Sequence, residues 1–116
     1  MAFADFDKTQ EITLTTRGRA SGRESSRPVW FVRDGEALYL LPITGSDSQW
    51  YKNALRTPAI RLSARGAEEA GQATPITDAA KVAEVIERFS AKYGASNVER
   101  YYPKRDVAVE VQPIGA

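Results

Sequence analysis

The chain contains neither cysteine nor histidine among its 116 residues. Without cysteine there is no disulfide, no thiolate nucleophile and no cysteine-based zinc site. Without histidine there is no Ser-His-Asp triad and no side chain that ordinarily titrates near neutral pH. The carboxylates do not suggest a two-acid hydrolase or a metal cluster, because the neighbours Glu68 and Glu69 would face opposite sides of a strand. An enzyme of this composition would depend most simply on a bound cofactor, which the protein orients.

An excess of one charge is also missing. Sixteen basic and fifteen acidic residues leave a net charge of +1, so no overall field attracts nucleic acid or a membrane surface. No apolar run approaches the ~20 residues of a membrane span, and "MAFADFDKTQE" at the start has no signal-peptide character. We therefore expect a cytoplasmic protein without a nucleic-acid partner. We also expect one domain over residues 1–116, with residues 1–10 loosely ordered.

The pattern of apolar and polar residues predicts six strands and two helices. The strands are expected at 11–16, 27–33, 37–43, 59–64, 68–76 and 107–112. The helices are expected from a cap at Ser46 or Asp47 to Pro58, and from a cap at Thr77 or Asp78 to Gly94. Strands joined by short turns, with the long helix just before the last strand, indicate a mainly β, α+β fold. We expect an antiparallel barrel or roll with two helices packed outside.

The segment "LTTRGRASGRESSRPVWFV" concentrates positive charge between two of these strands. Its arginines are Arg17, Arg19, Arg23 and Arg27. Guanidinium groups bind phosphate and carboxylate in a bidentate manner, while Gly18, Ser21 and Gly22 would offer backbone and hydroxyl donors. The spacing suits an extended anionic tail better than a single phosphate. A solvated basic loop explains the same arginines equally well.

A second candidate is the loop in "PITGSDSQWYKN", which connects a strand to a helix. Helix N-termini bind anions through their free N–H groups and the helix dipole. Thr44, Gly45 and Ser46 are therefore candidates for cradling a phosphate. An ordinary capped helix start is the alternative interpretation.

Aromatic residues form the third candidate group. Trp30 and Trp50 are suited to line a pocket for a planar ligand, with core packing as the alternative, above all for Trp30. Tyr101 and Tyr102 lie in a segment expected to be short-helical or irregular. One of them is a candidate to cover a pocket mouth and offer its hydroxyl.

Four pieces taken together resemble a known family. "LTTRGRASGR", "PVWFVRDGEALYLL", the Gly-Ser loop and "WYKNALRTP" are similar to the deazaflavin-dependent nitroreductases of the split β-barrel flavin-binding superfamily. The likeness covers about residues 11–63. It implies a split β-barrel, often a homodimer, that binds an anionic flavin or deazaflavin. The family's usual partner is coenzyme F-420, an 8-hydroxy-5-deazaflavin with a phosphate and an oligoglutamate tail; FMN is the alternative cofactor.

The resemblance also implies a set of site residues. The cofactor contacts it implies are Arg17, Arg19, Ser21, Gly22, Arg23, Pro28, Val29, Ile43, Thr44, Gly45, Ser46 and Trp50. Tyr101 or Tyr102 is implied on the substrate side as a catalytic residue. Ala20 and Thr44 stand where family members commonly have lysine, which Arg17 or Arg23 would have to replace.

The activity implied by this resemblance is hydride transfer from the C5 carbon of the reduced deazaflavin. The acceptor would be electron-poor, such as a nitro compound, a quinone or an activated alkene. The missing lysines leave two alternatives open, a non-catalytic flavin- or deazaflavin-binding protein and an FMN-dependent split-barrel oxidoreductase.

Overall fold

The computed structural model describes residues 3–114. Its strands are β1 (Ile12–Arg17), β2 (Glu24–Val29), β3 (Val32–Asp34), β4 (Ala37–Leu40), β5 (Ala59–Ala64), β6 (Ala67–Ile76) and β7 (Ala108–Pro113). Its helices are α1 (Gln49–Arg56), α2 (Ala79–Tyr93) and α3 (Ala95–Tyr101), with short 3₁₀ turns at Ala4–Lys8 and Gly45–Asp47. Within this part of the chain, no helix is both long enough and apolar enough to cross a membrane.

The strands form one antiparallel sheet in the order β2-β1-β5-β6-β7-β4-β3. Strands β2 and β3 are therefore the two opposite edges of the sheet. Only Trp30 and Phe31 separate them along the chain. Because two residues span only about 7 Å, the sheet must curl until its edges meet at this point. The expected antiparallel barrel with helices outside is confirmed, in its split form.

The number of elements differs from the expectation. The predicted strand at 27–33 is two strands, because the chain leaves one sheet edge at Trp30 and joins the other at Val32. The arginine-rich connection is shorter than expected, since β2 already begins at Glu24. A third helix, α3, occupies part of the segment expected to be short-helical or irregular.

Helix α2 follows directly from its sequence. The Asp78 carboxylate caps it by accepting the Lys81 N–H at 3.1 Å, as predicted. Val82, Val85 and Phe89 are buried at helical spacing and pack α2 against the sheet. Gly94 ends the helix with a φ of +97°, which a residue with a side chain rarely adopts.

Two apolar clusters stabilise the fold. One joins β1, β5 and β7 to helix α1, and the other packs α2 and α3 against β3 and β4. Phe3 and Phe6 belong to the first cluster and are buried, and the Asp7 carboxylate forms a two-bond ion pair with Arg33 at 2.7 and 2.8 Å. The described part of the first ten residues therefore packs against the barrel. We had expected residues 1–10 to be loosely ordered. The segment packs there because two phenylalanines and one paired carboxylate have partners on the barrel.

Candidate functional site

A cavity of about 280 Å³ opens where the chain passes from β2 to β3. Its walls are Glu11, Arg27, Pro28, Val29, Trp30, Leu41, Ile43, Trp50, Tyr101 and Tyr102. Six of the residues implied for the site come together here: Pro28, Val29, Ile43, Trp50, Tyr101 and Tyr102. The volume lies near the lower end for small-molecule sites, and the mainly aromatic and aliphatic lining suits a flat ring.

Trp30 forms a rigid wall of this cavity through contacts with other rings. It stacks on Tyr93 with ring centres 4.2 Å apart and planes only 5° from parallel. Tyr101 meets it edge-on at 5.5 Å, and Tyr102 lies tilted at 6.0 Å. The edge-to-face contact with Tyr101 is among the arrangements that aromatic pairs prefer. The wall is therefore formed before any ligand arrives, and Trp30 has both of the roles considered for it, packing and pocket lining.

The Tyr93 hydroxyl fixes the crossing between the two sheet edges. Its oxygen accepts the Phe31 N–H at 3.1 Å, and its proton faces the carbonyls of Gln10 at 2.7 Å and Phe31 at 3.0 Å. The Lys92 ammonium also donates to the Phe31 carbonyl at 2.7 Å. Burial raises the pKa of Tyr93 to about 12. The hydroxyl therefore stays protonated near neutral pH and keeps its donor.

The two tyrosines beside Trp30 differ in exposure. Tyr102 is buried, whereas Tyr101, the last residue of α3, is 48% exposed at the cavity mouth. Burial raises the pKa of the Tyr102 hydroxyl far above its ordinary value of 10.0. Of the two residues implied on the substrate side, Tyr101 is thus the one that an incoming molecule reaches directly.

The cavity also contains four residues that the implied set lacks, Glu11, Arg27, Trp30 and Leu41, and Arg27 is the cation among them. In the β1–β2 register Arg27 lies opposite Leu14, and Val29 lies opposite Ile12. Paired residues share a face of the sheet, so Arg27 projects on the side of the buried Leu14, towards the cavity. Within residues 3–114 its guanidinium has no hydrogen-bond or ion-pair partner. The charge pattern of the sequence already placed Arg27 in the arginine cluster, and its alternation with Val29 is the signal for its position at the cavity.

The other arginines of the loop have different surroundings. The Arg19 guanidinium donates to the carbonyl and side-chain oxygens of Gln49 at 3.1 and 2.8 Å and to Asn53 Oδ1 at 2.8 Å. Arg17 donates to the Gly22 carbonyl at 2.7 Å. The Arg19 contacts dock the hairpin loop on α1, and the Arg17 contact closes the loop on itself. Arg23 is exposed, and its side chain meets no acceptor in the part of the chain that the structure describes.

The loop expected to cradle a phosphate already holds a carboxylate of the chain. Ser46 donates its N–H to Asp106 Oδ1 at 3.0 Å and its hydroxyl to Asp106 Oδ2 at 2.6 Å. Gly45 has a φ of +57°, and a Cβ there would collide with the same carboxylate. The Thr44 N–H donates to Ser48 Oγ at 3.0 Å. The donors expected to face a ligand thus face protein atoms.

This carboxylate also explains where α1 begins. Ser46 and Asp47 were the expected caps, but the Ser46 hydroxyl is bound to Asp106, and Asp47 pairs with Lys104 at 2.9 Å. Helix α1 therefore starts later, at Gln49, after a 3₁₀ turn. Ile43 alone of the residues implied in this loop lines the cavity.

The Asp106 contacts predict a loss of stability in acid. Hydrogen bonds from Ser46, with a smaller effect of the Lys104 charge, hold the pKa of Asp106 below its ordinary 3.8. Its stabilising effect is therefore fully present above pH 3.8 and is lost as the pH falls through the lower folded-state pKa. Thermal unfolding followed by circular dichroism should show a Tm that falls below about pH 4, and less steeply for Asp106→Asn. Equal slopes for the two proteins would contradict the coupling of Asp106 to Ser46.

A sheet whose two edges meet beside such a cavity defines the class of the protein, a split β-barrel. The chain belongs to the family described as "Uncharacterized protein conserved in bacteria (DUF2255)", whose model matches residues 2–111. No curated protein matches the chain.

Several solved structures share this fold. The putative pyridoxamine 5′-phosphate oxidase from Listeria innocua is 18% identical, with a TM-score of 0.69 over 97% of this chain and 90% of that one. HutZ, the heme storage protein from Vibrio cholerae, is 15% identical, with a TM-score of 0.73 over 100% and 93%. An F420-H2-dependent reductase (FDR-A) is 15% identical, with a TM-score of 0.69 over 89% and 94%. At these identities the likeness concerns the fold.

Proposed function

We propose that this single domain is a reductase that binds a flavin or deazaflavin with its ring in the cavity between the two sheet edges. One observation carries the proposal. The cavity is lined by Trp30, which is already stacked on Tyr93, by the second indole at Trp50 and by Arg27, whose guanidinium has no partner among residues 3–114. A flat ring gains from stacking on such a wall, and a negatively charged ring or tail gains from the guanidinium. The fold shared with an F420-H2-dependent reductase supports the same class of ligand.

The residues of the cavity suit the ring of such a cofactor. The Thr44–Ser46 loop is less suited to bind its phosphate. Trp30, Trp50 and Val29 offer the apolar surface that a tricyclic ring needs. The Ser46 donors, by contrast, are used by Asp106. Coenzyme F-420, the cofactor that the sequence resemblance implies, therefore fits through its ring, and its phosphate requires another position.

When bound, a reduced deazaflavin supplies a hydride to an electron-poor acceptor such as a nitro compound, a quinone or an activated alkene. Trp30 and Leu41 exclude water from their side of the cavity. Tyr101 stands at the mouth with its hydroxyl reachable, and it is suited to donate a hydrogen bond to negative charge that develops on the acceptor. Arg27 balances the negative charge of the ligand.

One observation favours a second candidate. Since Asp106 fills the loop and Ala20 and Thr44 stand in place of the lysines common in the family, the contacts to an F-420 tail are fewer than the resemblance implies. A protein that binds FMN, or one that holds a flavin or deazaflavin without turnover, would use the same ring site. It would need fewer contacts to the tail of the ligand.

The experiment for this proposal measures binding first and turnover second. The protein is titrated with coenzyme F-420 and, in parallel, with FMN, and the cofactor fluorescence is followed. The reduced cofactor is then mixed anaerobically with menadione or a nitroimidazole, and its oxidation is recorded. We expect micromolar binding of F-420 and acceptor-dependent oxidation that requires the protein. Binding without oxidation would favour the non-catalytic candidate, a preference for FMN would favour the FMN-dependent oxidoreductase, and absence of binding would reject the proposal.

We also propose a homodimer. All of β2 except Val29 is exposed, and its outer edge has no strand partner among the described residues. An exposed edge strand presents free N–H and C=O groups that another chain can cover. Sedimentation equilibrium should give about twice the mass of 12.8 kDa; a monomer at micromolar concentration would reject the dimer and leave the ring site unaffected.

A further inference from the structure

Two places near the cavity have the chemistry to hold an anion. One is the Thr44–Ser46 loop, with its backbone and hydroxyl donors, and the other is the arginine-bearing strand β2. If the ring of a ligand lies in the cavity, its negatively charged tail must leave past one of them. The two differ in whether their donors are already used.

The loop is closed by the chain itself. Asp106 accepts both donors of Ser46, and Lys104 lies close to it, with its ammonium 3.9 Å from an Asp106 carboxylate oxygen. An incoming phosphate would have to displace a carboxylate that already has two hydrogen bonds. It would also meet the two negative charges of Asp106 and Asp47, of which the single Lys104 ammonium balances only one.

Strand β2 is open. Arg27 faces the cavity and, among residues 3–114, has no carboxylate within ion-pair distance, although Glu11 lines the same cavity. Ser25 shares its face of the strand, opposite Thr16, and Arg23 continues the alternation just before the strand begins. The spacing of about 3.3 Å per residue separates Arg23 from Arg27 by roughly 13 Å along the strand. This arrangement matches an extended anion.

The alternative role of Arg27 is protection of a sheet edge. Inward-pointing charges on edge strands hinder pairing with other chains. That role requires a charge at this position but no ligand. It therefore predicts the same affinity for ligands with and without a phosphate. The two roles therefore differ in a measurable way.

We propose that Arg27 binds the anionic group of the ligand and that the tail runs along β2 towards Arg23, while Asp106 excludes it from the Thr44–Ser46 loop. The inference rests on the proposed function for the position of the ring. It adds a binding residue and a direction for the tail.

Riboflavin and FMN test this inference, because they share one ring system and differ by one phosphate. Both are titrated into the wild-type protein and into Arg27→Gln, Arg27→Lys and Ser46→Ala, with flavin fluorescence as the signal and circular dichroism as a check of folding. The wild type should bind FMN at least about tenfold more tightly than riboflavin, the gain typical of one charge-assisted contact. Arg27→Gln should remove that preference, because its affinity for FMN falls to that for riboflavin. Arg27→Lys should restore part of it, and Ser46→Ala should leave it intact.

Other outcomes overturn the inference. A preference for FMN that survives in Arg27→Gln but is lost in Ser46→Ala would place the phosphate in the loop. Riboflavin bound as tightly as FMN by the wild type would mean that no anion contact exists, while leaving the ring site in place. If neither flavin nor coenzyme F-420 binds, the proposed function fails, and this inference fails with it.

Discussion

Replacing Trp30 with leucine is expected to weaken binding of a flavin or deazaflavin by about 10- to 100-fold. Stacking of a flat heterocycle on an aromatic side chain contributes about 1–3 kcal/mol. Trp30 is held in a fixed orientation, because Tyr93 stacks on it at 4.2 Å and Tyr101 packs against it with ring centres 5.5 Å apart and planes at 79°. Leucine keeps an apolar wall but removes the flat face. The measurement is the dissociation constant from a fluorescence titration.

The matched control for this prediction is Tyr39→Leu. Tyr39 is a half-buried aromatic residue of β4 that packs against the same apolar cluster as Trp30 but does not line the cavity. Its loss should reduce stability and leave the dissociation constant within about twofold of the wild type. If Trp30→Leu binds the ring as tightly as the wild type, the ring does not lie against this wall.

The second large effect is expected for Phe89→Ala, which should lower the free energy of unfolding by about 3–5 kcal/mol. Phe89 is completely buried on α2. Its ring lies 5.8 Å from Tyr93 and 5.9 Å from Tyr102, so its removal leaves a cavity beneath two of the rings that support Trp30. Because small domains are stable by only about 5–15 kcal/mol, much of the margin would be lost. Urea unfolding followed by circular dichroism gives the value.

Phe89→Leu is the control, since it fills most of the space and should cost clearly less than the alanine variant. We also expect weaker ligand binding in Phe89→Ala, because the support of the aromatic wall loosens. A loss of stability below about 1 kcal/mol would mean that α2 is not anchored through this residue.

Local patterns predicted those parts of the fold that local physics determines. The cap at Asp78, the stripe of Val82, Val85 and Phe89 and the glycine at the end are all readable within one helix. The break at Trp30 and Phe31 is different. "RPVWFVR" has the composition of one continuous strand, and only the order of the whole sheet, with β2 and β3 at opposite edges, requires it to divide there.

The sequence indicated part of the candidate site as well. Pro28, Val29, Ile43, Trp50, Tyr101 and Tyr102 were implied as site residues and line one cavity. Their assembly depends on the fold, and their roles in binding remain predictions. Asp106 was missed, because it lies sixty residues from Ser46 in sequence and nothing near it marks a partner.

Arg19 illustrates the remaining difficulty. Its sequence neighbourhood looks the same as that of Arg23, yet it donates to Gln49 and Asn53 on α1, whereas Arg23 faces solvent. Whether an arginine of a basic loop is used by the protein or is left for a ligand depends on what the fold brings against it. The interpretation as an ordinary loop applies to Arg17 and Arg19, whereas anion binding by Arg23 and Arg27 stays a prediction.

The central claim is that a flat cofactor ring lies in the cavity between the two sheet edges. The protein has only two tryptophans, Trp30 and Trp50, and both line that cavity. The most direct test is therefore a titration of tryptophan fluorescence with coenzyme F-420 and with riboflavin, repeated on Trp30→Phe and Trp50→Phe. We expect saturable quenching at micromolar ligand in the wild type, and each single variant should retain quenching of its remaining tryptophan. Binding visible in the cofactor's own fluorescence while neither tryptophan responds would place the ring outside this cavity.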